Sequence, residues 1–252
     1  MSEYKNIILI PYRNRKEHLD IFIKDAIPLF EKYLQPYKVI IIEQEHGKLF
    51  NRGMLLNIGF NEYKDKSEYF FTHDVDIIPK EECVNELYTK IDISCITGIY
   101  TSQCNTLGGI IKFTPEFFIK TNGFPNNYWG WGVEDKALQN RAEYMYHNIN
   151  INKNILNNDE NRFNYFTIKN DIDDRQHDNI GHKTSFEYGE FNNLTTENKL
   201  IHIMKSGLNN LEYKIISREY IRDDRDDRDD RDDRDDRDDR NNSTIERIKV
   251  SI

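Results

Sequence analysis

The sequence predicts an α/β fold, with buried strands alternating with helices in one domain over residues 1–221. Three observations carry this. First, short and almost wholly apolar runs stand at 5–12, 38–43 and 69–72, the pattern of strands covered on both faces. Second, the segments between them place apolar residues at helical spacing. Third, 252 residues at 37% hydrophobic are enough for one sizeable core.

The elements follow in order. Residues 5–12 form a strand closing at Pro11, and Asn14 is expected to cap the next helix with Glu17 as its reciprocal partner. Leu19, Phe22, Ile23 and Ala26 form that helix's apolar stripe, and Pro28 should kink or end it. Strand 38–43 precedes a helix from about 49 to 63. Strand 69–72 then delivers Asp74-Val75-Asp76 at its end. In an extended chain residues two apart point to one side, so both carboxylates could face one divalent cation. Runs at 91–99 and 108–113 supply two more strands, with Gly108-Gly109 allowing close approach of a ligand. Thr114-Pro115 opens a helix that Gly123 closes. Residues 134–146 form another helix, and 211–221 a final strand.

Residues 124–135 read F-P-N-N-Y-W-G-W-G-V-E-D and hold both tryptophans of the chain. Aromatic faces beside carboxylates suit a sugar, the ring stacking while the acids take hydroxyls; a buried Trp pair in a core loop is the competing reading. Glu134 and Asp135 also suit a first helical turn by the helix dipole alone. Arg13 and Arg15 stand just past the first strand, where open α/β sheets bind ligands, and guanidinium groups match phosphate geometry. His73 is read as an oriented, non-catalytic histidine in preference to a ligand or proton donor.

Composition excludes several classes. The formal charge is −9, but Asp223–Arg240 is six D-D-R repeats with twelve Asp and six Arg, a net −6 that leaves the rest near neutral. Nucleic acid is therefore a poor ligand. The tract has no apolar residue to offset ordering entropy and is expected as a solvated tail over 222–240, with 241–252 a short terminal tail too small to fold alone. Three cysteines without metal-type spacing read as reduced thiols. The N-terminal apolar run is too short for a signal peptide or a membrane span, so a cytoplasmic or viral setting is expected.

Six segments carry a more specific message: P-Y-R-N-R (11–15), F-N-R-G-M-L-L-N-I-G-F (50–60), D-V-D-I-I-P (74–79), G-G-I (108–110), N-G-F-P-N-N-Y-W-G-W-G-V-E-D (122–135) and G-L-N-N-L-E-Y (207–213). In this order and at about this spacing they resemble the β-1,4-galactosyltransferase family. The resemblance implies a GT-A type fold, a Rossmann-like mixed sheet flanked by helices. It implies an inverting transfer of galactose or N-acetylgalactosamine from a UDP-sugar to a glycan acceptor, in β-1,4 linkage. A transferase using another UDP-sugar, or a non-catalytic nucleotide- or sugar-binding protein that kept the fold, are the alternatives.

By the same resemblance, Asp135 is the catalytic base and Glu134 orients hydroxyls. Pro11, Tyr12, Arg13, Arg15, Phe50, Arg52, Asp74, Gly108, Gly109 and Trp131 contact the donor. Thr106 sets which sugar fits, its small side chain leaving room at the donor's C2 position. The cofactor is Mn²⁺, with Mg²⁺ the alternative, held by Asp76 and His182, or by His177 in its place. The pattern departs from the family at Val133, where a Gly or polar residue is usual, and at Lys136, where an acid is.

Overall fold

A computed structural model describes residues 2–90, 96–100, 107–130, 132–146, 150–151, 163–168, 189, 191–221 and 244–252. Its main sheet has eight strands. These are β1 (Tyr4–Tyr12), β2 (Tyr37–Gln44), β3 (Ser67–Thr72), β5 (Thr97–Tyr100), β6 (Ile110–Phe113), β7 (Asn150–Ile151), β9 (Lys214–Ile221) and β10 (Ile245–Ser251). They lie in the order β7-β5-β6-β3-β1-β2-β10-β9. β4 (Ile77–Pro79) and β8 (Phe166–Ile168) form a separate antiparallel pair. β3, β1, β2 and β10 run parallel; β6 and β9 are antiparallel to their neighbours β3 and β10. The mixed sheet expected from the sequence is therefore present.

Alternation along the central strands builds two cores. Ile8, Ile10 and Tyr12 of β1 and Val39 and Ile41 of β2 face α1 (Lys16–Tyr33), with its Phe22, Ala26, Ile27 and Phe30. Ile7, Leu9, Ile40 and Ile42 face α2 (Arg52–Tyr63) on the other side. Both faces are covered, which is why these strands read as continuous apolar runs. α1 joins β1 to β2, and α2 crosses back to β3 on the far side of β1. The sheet thus changes winding direction between β1 and β3, and the carboxyl ends of strands at such a switch point are where open α/β sheets form their ligand crevice.

The shorter helices are a one-turn α3 (Glu81–Cys83) that runs into a π-turn at Val84–Tyr88, α4 (Pro115–Lys120), α5 (Glu134–Tyr146) and α6 (Thr196–Lys205). Thr114 caps α4 by accepting from Phe117 N, with Pro115 in the first turn, as the sequence predicts. Cys83 is a buried free thiol. Among the described residues no helix is long and apolar enough to cross a membrane.

Three expectations need correction. Asn14 does not cap α1: it takes a left-handed turn (φ 53), which asparagine tolerates, and Arg15 occupies the cap position with no side-chain bond to the helix. Of the kink or end expected at Pro28, the end does not occur: α1 runs five residues beyond it to Tyr33. The carbonyl that Pro28 leaves without a donor belongs to exposed Lys24, and Phe22, Ala26, Ile27 and Phe30 hold the helix on the sheet from both sides of the proline. Residues 241–252, expected as a short tail, contain β10, inserted between β2 and β9 with Ile248 and Val250 fully buried. A seven-residue strand needs no core of its own when it joins an existing sheet.

Charge welds this insertion. Glu246 of β10 is 1% exposed. It accepts from Arg218 Nη1 at 2.9 Å and from the Tyr63 hydroxyl, and pairs with Lys38 Nζ at 3.3 Å. Burial disfavours its anion, but these three donors outweigh that and hold its pKa below the usual carboxylate value.

Candidate active site

The crevice is built from loops that leave the carboxyl ends of β1, β2 and β3. After β1, Arg13 turns toward α2. Its Nη1 donates to Lys48 O at 2.6 Å, and its guanidinium lies 5.3 Å from the centre of the Phe50 ring. Arg15 reaches the other way, across the gap between β1 and β3, where Nη1 donates to Asp76 Oδ2 at 2.8 Å. Pro11 and Tyr12 are the buried last residues of β1.

Asp74, Val75 and Asp76 lie in the tight turn between β3 and β4, closed by Ile77 N donating to Asp74 O at 3.3 Å. This corrects the extended geometry expected for the pair. The two carboxylates go to different arginines: Asp76 to Arg15, and Asp74 Oδ1 to Arg52 Nε at 2.7 Å. Arg52 opens α2 and is the centre of the site. Nη2 donates to Gly109 O at 3.1 Å, and Nη1 stands 3.5 Å from Glu134 Oε1. Burial works against its charge, but Asp74 and Glu134 more than offset that, so Arg52 holds its proton more firmly than an ordinary arginine.

Glu134 and Asp135 form the first turn of α5. Burial pushes the Glu134 carboxyl up, Arg52 pulls it back and Asp135 raises it again, leaving it above the usual carboxylate value. Asp135 Oδ1 accepts from Lys136 N at 2.7 Å. Gly109 owes its identity to the Asp74 carboxylate, which a Cβ there would strike, and Gly108 to its backbone, at φ 76.

His73 is fully buried. Its Nδ1 is 2.9 Å from Asp74 O, and a carbonyl only accepts, so Nδ1 carries the proton. Nε2 then accepts from Tyr88 OH at 2.8 Å. Both ring nitrogens are used, and burial lowers the pKa to about 4. His73 orients the turn and is no metal ligand, as read from the sequence. Among the described residues no three His, Cys, Asp or Glu side chains gather to hold a metal ion.

The sequence reading missed what holds the 122–130 loop in place. Asn57 donates Nδ2 to Phe124 O at 2.7 Å and accepts from Phe124 N at 2.9 Å. Asn51 Nδ2 donates to Asn126 O at 2.8 Å. Arg141 of α5, 3% exposed, donates to Asn122 O, Gly123 O and Ser206 O. Gly207 fits against Asn122 with no room for a Cβ. The G-L-N-N stretch is thus an anchor for the loop that leads into α5. The signal available was asparagine recurring within three otherwise apolar segments. Further along, Gly130 N donates to Phe50 O at 2.8 Å, and half-buried Trp129 packs under Lys48 Nζ, 5.6 Å from its ring centre. Trp131, Thr106, His177 and His182 lie outside the described residues.

Comparison with known proteins places this geometry. A profile described as the N-terminal region of glycosyl transferase group 7 matches residues 1–89, and one described as the N-terminal domain of galactosyltransferase matches 95–166. Beta-1,4-galactosyltransferase 6 of Rattus norvegicus is 38% identical over 156 residues, 58% of this chain and 40% of its own length. Beta-1,4-galactosyltransferase 4 of Homo sapiens is 36% identical over 143 residues, 54% of this chain and 42% of its own length. This chain belongs to the β-1,4-galactosyltransferase family.

It spans about two fifths of the length of those curated relatives. The catalytic domain of Drosophila beta1,4galactosyltransferase 7, solved in complex with xylobiose, superposes with a TM-score of 0.71 at 24% identity, over 99% of this chain and 94% of that one. A mutant of the same fly enzyme was solved with manganese, UDP-Gal and xylobiose, and is 22% identical to this chain. The fold is the GT-A type that the family resemblance implies. Within that frame the described crevice sits where the family's motifs converge: P-Y-R-N-R on β1, D-V-D after β3, F-N-R at α2 and the two acids of α5.

Proposed function

We propose that the protein is an inverting, cation-assisted transferase that moves galactose, or N-acetylgalactosamine, from a UDP-sugar to a hydroxyl of a glycan acceptor in β-1,4 linkage. One observation carries the reading. Arg52 draws the acids at the start of α5 to the same crevice that Arg15 and Asp76 span between β1 and β3. Phosphate-matching cations and a pair of acids thus share one site.

Phe50 and Arg13 form an aromatic and cationic wall suited to the uracil end of the donor. Arg15, with its fixed donor geometry, suits the diphosphate. Asp76 offers a hard oxygen, since Arg15 takes only Oδ2, and this suits Mn²⁺ or Mg²⁺. The remaining protein ligand would be His182 or His177. Held there, the cation would supply positive charge to offset that of the departing diphosphate. Asp135 accepts the proton of the acceptor hydroxyl as its oxygen bonds to the anomeric carbon; the bond from that carbon to the phosphate oxygen breaks on the opposite face, and its electron pair leaves with UDP. Glu134, held by Arg52, orients hydroxyls, and Trp131 stacks on sugar.

The test is UDP release from UDP-galactose and UDP-N-acetylgalactosamine with N-acetylglucosamine or xylose acceptors, with Mn²⁺ or chelator. Release that needs the cation and falls by about 10³-fold or more in Asp135→Asn is expected. Tight UDP binding without turnover would replace this reading by a binding protein. Turnover of UDP-galactose alone would remove the N-acetylgalactosamine part, which rests on Thr106.

A further inference from the structure

β10, which follows the D-D-R tract in sequence, runs to the crevice. It is parallel to β2, with Ile245 opposite Val39 at the far end and Val250 opposite Gln44 at the crevice end. Two contacts there reach the loops that form the donor wall. Val250 O accepts from Glu45 N at 2.9 Å, fixing the start of the segment that carries Lys48 and Phe50. Gln44, beside Val250, holds that segment's other end: its Nε2 donates to Leu49 O at 2.7 Å and its Oε1 accepts from Asn51 N at 2.8 Å.

The second contact is Arg247. Its Nε donates to Glu43 Oε2 at 2.7 Å and its Nη2 lies 2.5 Å from the same oxygen. The guanidinium covers the Tyr12 ring at 5.4 Å. Tyr12 is 4% exposed, pairs with Glu43 across β1 and β2, and is the residue from which the chain departs into Arg13, the left-handed Asn14 and Arg15. Fixing Tyr12 and Glu43 therefore fixes the root of the loop that presents both arginines. A guanidinium does this as a flat plate that covers the ring while two of its N–H groups converge on one carboxylate oxygen, which a compact ammonium cannot copy.

We propose that Arg247 is a positioning residue for the donor site, acting through Tyr12 and Glu43 on Arg13 and Arg15, so that nucleoside diphosphate affinity depends on the C-terminal strand. This rests on the reading of the crevice as a UDP-sugar site. Arg247 touches neither donor nor acceptor. Its loss raises KM for the donor and leaves kcat at saturating donor nearly unchanged.

The experiment uses the full chain, as wild type, Arg247→Met, Arg247→Lys, Glu43→Gln and the Glu43→Gln/Arg247→Met double variant. UDP binding is measured by calorimetry with Mn²⁺, alongside melting temperature. We expect Arg247→Met to weaken UDP by about tenfold, Arg247→Lys to recover part of the loss, and the double variant to lose no more than Arg247→Met, the mark of one unit. Unchanged UDP affinity in Arg247→Met overturns the inference. So does a loss that only follows a lowered melting temperature, or one that adds fully with Glu43→Gln. Wild type that binds no UDP overturns the donor reading and this inference with it, whereas wild type and Arg247→Met binding alike overturns this inference alone.

Discussion

Arg52 and His73 show how single residues set this site. Arg52 is 13% exposed and engages a carboxylate of the β3–β4 turn, a carbonyl before β6 and a carboxylate of α5. All three of its nitrogens have protein partners, so it is a strut before it is a ligand contact. His73 braces the same turn from below. Its folded pKa of about 4 lies under the ordinary 6.5, so the unfolded chain takes the proton first as pH falls. The stability this contributes is complete above about pH 6.5 and is lost as pH falls toward 4, about 3 kcal/mol in all. His73→Gln keeps a donor for Asp74 O and an acceptor for Tyr88 OH without the titration. Urea unfolding from pH 7 to pH 4 should show the wild type losing about 3 kcal/mol more than this variant. Parallel loss in both proteins would refute the assignment.

At the scale of elements, the approach to α5 is the strained part. Gly130 (φ 82), Gly132 (φ 114) and Val133 (φ 61) all adopt left-handed backbone within four residues. Glycine does so freely; a β-branched valine does not. Val133 O nonetheless accepts the first bond of α5 from Ala137 N at 2.9 Å, so the helix that presents Glu134 and Asp135 begins from a strained residue. Val133→Gly should stabilise the fold by about 1 kcal/mol, relief of strain being partly offset by the greater freedom of glycine when unfolded. Chemical denaturation decides it: a destabilised variant would mean that valine's own packing outweighs the strain. Elements differ in how far sequence reveals them. α4 and α5 start where capping and helix-dipole signals put them, because those signals are local. α1 does not, because the bond from Arg15 to Asp76 spans the crevice and leaves Asn14 to make the turn.

For the whole molecule, the two strands that flank the D-D-R tract matter most. Ile221 and Ile245 are paired, at the end of the sheet opposite the crevice. Residues 222–244 therefore connect two bonded strands. Excising 223–240 leaves Arg222 and residues 241–244, enough for a hairpin connection. The shortened protein should bind UDP as the full chain does and gain up to about 1 kcal/mol from the shorter loop. Calorimetry and thermal unfolding check both; weaker UDP binding would give the tract a role in the site. Ending the chain at Ile221 instead should unfold it, since Ile245, Ile248 and Val250 leave the core and Lys38 loses Glu246.

The sequence by itself determined the parts that depend on neighbours along the chain. The buried strands, the helix periods, the Thr114 cap and the acids opening α5 are all set by residues a few positions apart. It also determined the family, through motifs whose order and spacing survive without knowledge of their contacts. Tertiary structure alone decided what those motifs touch. Arg52 meets Glu134 across 82 residues, and Arg15 meets Asp76 across 61. The turn at Asp74–Asp76 replaces an extended pair and sends its two carboxylates to two different, partly buried arginines, Asp76 to Arg15 and Asp74 to Arg52. β10 joined the sheet because an open edge beside β2 supplied the backbone partners and the core that seven residues cannot make alone. Long-range pairing of charge and of strand edges is invisible to periodicity, and in this protein it is what assembles the site.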